Sequence, residues 1–158
     1  MATPATPANP VHASGTCTAP VAFARRVFER HRDFYGDEAP HDPALLTPRL
    51  DAALRHEWAG TTGELGPLDV DPWMGAQDGE IGTPVTFRLL AAKGGAATVR
   101  MDYPFLSEPG ARPQRRTVRL LLRREMGGCW RLDDLITPAG QSLRTLDALR
   151  RGAEPAIP

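Results

Sequence analysis

The chain has 158 residues and a mass of 17.2 kDa, the size of one domain with a single core. Hydrophobic residues make up 41% and charged residues 24%, an ordinary balance for a water-soluble globular chain. Lys+Arg and Asp+Glu are both 19, so no basic excess drives binding to nucleic acid, and no run of about 18 apolar residues inserts into a membrane.

The first stretch, MATPATPANPVHASGTCTAP, is rich in Pro, Ala and Thr and reads as a flexible lead over residues 1–17. It has neither the basic nor the apolar segment of a signal peptide. It is either the segment left once a signal peptide has been removed or the tail of a cytosolic start. Cys17 closes the lead, and Cys129 lies at the start of a late strand. The pair forms one disulfide if the compartment is oxidising; otherwise it is two unrelated thiols.

A single α+β domain is expected over residues 18–150. Thr18 and Pro20 predict a capped helix start, and Phe23, Ala24, Val27, Phe28, His31, Phe34 and Tyr35 form a helical stripe that Gly36 ends. Thr47 and Pro48 open a second helix, with Leu50, Ala53, Leu54 and Trp58 on its buried face and Gly60 at its end. The segment from Thr61 to Gly82 is irregular. The period then changes to two. Val85–Leu90, Ala97–Asp102, Val118–Arg123 and Cys129–Thr137 read as four antiparallel strands, joined by Lys93-Gly94-Gly95, a Pro/Gly connector and Gly127-Gly128. Ser142 caps a short closing helix with Leu143, Leu146 and Leu149, and residues 151–158 fray. The expected fold is two N-terminal helices packed on a curved four-stranded antiparallel sheet, a cone with one wet sheet face.

Trp130-Arg131-Leu132-Asp133-Asp134-Leu135-Ile136, with Ser142-Leu143-Arg144 after it, resembles a family of exported bacterial proteins that carry a domain of unknown function. Asp71-Pro72-Trp73 with Gln77-Asp78, Phe34-Tyr35, and Leu46-Thr47-Pro48-Arg49-Leu50 match further motifs of that family, in the same order. The resemblance covers roughly residues 20 to 150. It implies a nuclear transport factor 2-like, or cystatin-like, cone and a periplasmic location, with cytoplasm as the alternative. The roles it implies are accessory binding and immunity against toxins delivered by secretion systems.

The stretch DVDPWMGAQDGE concentrates polar candidates. Asp69, Asp71 and Glu80 fall at the first, third and twelfth positions of a calcium loop, but Trp73 and Met74 occupy places that need a ligand and a glycine. A structural corner is the better reading. Asp71 would hold backbone amides in an Asx turn, Trp73 would plug the cone, and Gln77 and Asp78 would tie the loop down. No metal or cofactor is expected, and no nucleophile motif is present.

On the last strand, alternation places Trp130, Leu132, Asp134 and Ile136 on one face and Arg131, Asp133 and Leu135 on the other. Two readings are open. The first is a non-enzymatic envelope protein, of the kind that neutralises a toxin. It binds a protein partner through Trp73, Asp71, Gln77 and Asp78 and through an exposed sheet face of Arg119, Arg123, Arg131 and Asp133. The second is a ligand or catalytic pocket inside the cone, in which Asp134 and His31 form an acid–base dyad beside Tyr35 and Tyr103.

Overall fold

Pro20 opens the first helix of the computed structural model, α1 (Pro20–Arg30), and Phe23, Ala24, Val27 and Phe28 form its buried stripe. The structure describes residues 17–32, 41–59, 71–125 and 127–145, with side chains in the second helix described through His56. The expectations for Phe34, Tyr35, Trp58, Leu146, Leu149, the lead before Cys17 and the last residues lie outside that set. Two details of α1 differ from the sequence reading. Its N-cap is Ala19, not Thr18, and no side chain caps it. It also ends at His31 rather than Gly36. The reason is tertiary: the His31 carbonyl accepts a 2.7 Å hydrogen bond from the Trp73 indole, which takes the acceptor a longer helix would use.

The second helix, α2 (Pro48–Ala59), starts where its Thr-Pro pair places it. The Thr47 hydroxyl accepts the Leu50 N–H at 3.3 Å, the reach of an N-cap to the third helical residue. Leu50 and Leu54 are buried below it.

Five antiparallel strands come next: β1 (Glu80–Ile81), β2 (Thr86–Lys93), β3 (Ala96–Leu106), β4 (Gln114–Arg123) and β5 (Arg131–Ile136). The order is α+β, with the helices before a curled sheet, a half-barrel, and a 3₁₀ turn at Leu143–Thr145 after it. β2 to β5 form the expected meander, and β1 lies along β3 beyond β2. β1 has only two residues and falls in the stretch read as irregular, too short for any period to appear. Alternation is cleanest in β3, where Ala97, Val99, Met101, Tyr103 and Phe105 all point to the core. Lys93 pairs Ala96 across the Gly94-Gly95 turn. Gly95 is required there, because a Cβ would lie 2.6 Å from the Arg124 carbonyl oxygen.

β4 pairs with β3 along its length and with β5 over Arg119–Arg123. The strands paired on one side only are β1, β2 and β5. Leu45–Thr47 covers β5: Thr47 N–H donates to the Leu132 carbonyl at 2.9 Å and Leu132 N–H to the Leu45 carbonyl at 2.7 Å. β2 keeps Leu89 and Leu90 exposed, and its register with β3 slips by one residue at Leu90.

Cys17 and Cys129 are joined by a disulfide that spans 112 residues and ties the entry of α1 to the entry of β5. In the chain-entropy picture a loop of that length stabilises the fold by about 4–5 kcal/mol. Reduction is expected to lower Tm by about 10 °C, read from circular dichroism melts with and without reductant. A Cys17→Ser/Cys129→Ser variant that melts with the oxidised protein would contradict this.

Candidate functional site

The corner at Asp71–Ala76 is built from its first side chain. Asp71 Oδ1 accepts the Trp73 N–H at 2.7 Å and the Met74 N–H at 3.2 Å, the Asx turn its chemistry favours before a proline. Asp71 N–H closes on the Ala76 carbonyl at 3.1 Å. Trp73 is fully buried and meets Phe28 edge-on, with ring centroids 5.1 Å apart. The Tyr103 hydroxyl donates to the Trp73 carbonyl. Burial drives the Tyr103 phenol far above its ordinary pKa, so it stays a donor at any physiological pH. Arg116 lies over the Phe105 ring at 3.7 Å and donates to the Met74 carbonyl at 2.6 Å. Trp73 therefore belongs to the core and presents no surface to a partner. Gln77 and Asp78 are exposed, and no hydrogen bond ties their side chains to the described residues.

The proposed dyad is not formed. The His31 ring lies 3.2 Å from Asp42, a carboxylate shared with Arg30 at 3.0 Å. Asp134 accepts the Ser142 hydroxyl at 2.5 Å and the backbone N–H groups of Leu135 and Arg144 at 2.8 and 2.9 Å, which fastens the closing 3₁₀ turn to β5. Inside the half-barrel, Phe23, Phe28, Trp73, Met101 and Tyr103 pack together in the core. Two clefts of about 520 Å³ lie elsewhere, one beside Asp133 and one beside Asp102.

Asp133 departs most from the sequence reading. It is 5% exposed, not part of an open face. Leu121 pairs Asp134 and Leu122 pairs Leu132, so Asp133 is the extra residue of a β-bulge. That one residue switches the parity of β5. Leu132 and Leu135 both reach the core, while Asp134 turns to the outer side with Leu121. The Asp133 carboxylate accepts Thr47 Oγ1 at 2.9 Å, Arg49 at 2.7 Å and Arg144 at 2.8 Å, with Arg123 Nε at 3.4 Å. Burial pushes this carboxyl up, but the hydrogen bonds from Arg49 and Thr47 and the nearby guanidinium charges outweigh it and hold the pKa below the ordinary range. Asp102, bonded to Arg100 and Thr117, and Asp51, bonded to His41 and Arg55, are held low against burial in the same way.

The outer face of the sheet, away from the helices, carries the remaining arginines. Register aligns Arg88, Arg100 and Arg119 directly across β2, β3 and β4. Arg123 faces Arg131 across β4 and β5. Arg100 is engaged by Asp102, whereas Arg88, Arg119 and Arg131 are exposed and pair with no carboxylate among the described residues. Lys93 and Arg115 point the same way. Four acids share this side: Glu80, Asp102, Asp134 and the bulged Asp133. Arg119, Arg123 and Arg131 were legible from strand alternation. Arg88 and Arg100 were not singled out, because their alignment depends on a register that the slip at Leu90 sets.

Scans against protein-family models, curated proteins and solved structures find no match for this chain.

Trp73→Ala is expected to cost about 3–5 kcal/mol in urea unfolding, the range for emptying a large aromatic site. A loss below about 1 kcal/mol would show that the corner is not part of the core. Stability is also expected to depend on acid. The three lowered carboxylates contribute fully above the unfolded value of 3.8 and lose that contribution as pH falls through their lower folded values. Unfolding free energy should therefore be nearly flat from about pH 7 to 5 and fall below about pH 4. A steep fall already near pH 6 would contradict these assignments.

Proposed function

We propose that the chain is a non-enzymatic binding protein of the bacterial envelope that engages an acidic protein surface through the outer face of its sheet. The carrying observation is the row Arg88, Arg100 and Arg119. Like charges directly opposite one another on neighbouring strands destabilise a sheet. A row with one carboxylate partner therefore works against the fold's own stability, and an anionic counterpart would offset it. Because the whole chain is neutral, the charge resides in this face and not in the composition.

A protein partner fits better than nucleic acid. Among the described residues the outer face presents no aromatic side chain on which a base would stack, since Phe87, Tyr103 and Phe105 point the other way. Arginine is also the charged residue most enriched at interface centres. The disulfide supports an oxidising compartment such as the periplasm. A secreted toxin is the kind of partner implied by the family resemblance in the last strand and the Asp-Pro-Trp corner.

The test compares the natural chain with Arg88→Gln/Arg119→Gln as oxidised baits on envelope and secreted fractions. The variant is expected to melt at the same temperature or slightly higher, by up to about 1 kcal/mol of stability, while its capture of any salt-sensitive partner falls at least tenfold. Equal capture by both baits would overturn the assignment of this face.

A further inference from the structure

We infer that the cleft between the N-terminus of α2 and the β4–β5 turn is an oxyanion site, and that its occupant is a carboxylate of the acidic partner. This rests on the binding role proposed above and specifies its chemistry at one end of the sheet face. The cleft holds about 520 Å³, within the range of sites that bury a small group; its charged lining is Arg49, Arg123, Arg124 and Arg131 against Asp133 and Glu125, beside Cys129.

The cleft holds surplus donors in place. A guanidinium has five N–H donors. Asp133 is nearly inaccessible, yet it gathers three guanidiniums: Arg49 and Arg144 each through one terminal nitrogen, and Arg123 through Nε. One carboxylate cannot saturate three forks. The side chains of Arg49 and Arg123 remain 57% and 63% exposed, so their unspent donors reach the solvent in the cleft. Arg131 joins them with no carboxylate partner among the described residues. Asp133 thus acts as an internal anchor. It restrains long side chains that would otherwise lose rotamer freedom on binding, and forked donors fixed in this way suit a bidentate oxyanion. The anchor is itself fixed: Thr47, the cap of α2, donates to it, and the bulge in β5 turns it toward the arginines. Cys129 lines the same cleft, so the disulfide ties down its wall.

The experiment is a calorimetric titration of the oxidised full chain at constant ionic strength with two probes, a tetraglutamate peptide and inorganic phosphate. The expected result is saturable binding of the peptide that weakens at least tenfold in Arg123→Gln/Arg131→Gln, a variant that gives up the longest of the Asp133 contacts but keeps Thr47, Arg49 and Arg144 on that carboxylate and so still melts cooperatively. Asp133→Asn should weaken binding further if it folds; the double variant decides the matter if it does not. Phosphate binding without peptide binding would overturn the protein-carboxylate assignment in favour of a phosphorylated ligand. Absence of saturable binding by either probe, or equal affinity in the double variant, would reduce the cluster to a structural ion network. Because the double variant changes only residues that line the cleft, equal affinity in it leaves the capture test on Arg88 and Arg119 standing.

Discussion

A single bulged carboxylate, Asp133, couples parts of the chain that are distant in sequence. It receives the cap residue of α2, the first turn of that helix through Arg49, the end of β4 through Arg123, and the C-terminal turn through Arg144. A charge this deeply buried survives only when its partners are complete. The bulge that places it there also turns Leu135 into the core and Asp134 out toward Ser142, so the packing and the closing turn of β5 depend on the same extra residue. The partial exposure of its arginines then lets one cluster both hold the fold and offer donors to solvent.

The Asp-Pro-Trp corner performs the matching task at the other end of the core. Its Asx turn is local, but Trp73 is fixed from three sides: Phe28 against its ring, the His31 carbonyl on its indole and the Tyr103 hydroxyl on its own carbonyl. These contacts bring together α1, the long loop and β3. The carboxylates of Asp71 and Asp134 are thereby engaged by backbone amides and a hydroxyl.

Much of this architecture was legible in the sequence, for physical reasons. The change of period from 3.6 to 2, the Gly-Gly turns, the Thr-Pro helix start and the Asx chemistry of Asp71 are local signals, and each appears where expected. What escaped was non-local. Alternation assumes an unbroken register, so it sent Asp134 inward and left Asp133 exposed; the bulge reverses both. The end of α1 depends on an indole 42 residues away, and no periodicity reports that. Of the candidate interface, Arg119, Arg123 and Arg131 were readable as exposed strand residues, whereas Trp73 was a core residue with the composition of a hot spot. The aligned row through Arg88 and Arg100 required the strand pairing itself.

Whether Asp133 and its arginines act as one unit is decided by a double-mutant cycle of Arg49→Gln and Asp133→Asn, read by urea unfolding at neutral pH and again at high salt. A coupling of about 1–3 kcal/mol that survives salt is expected, because the carboxylate is buried. Additivity within about 0.5 kcal/mol would contradict such a unit and would make the cluster a set of independent surface charges.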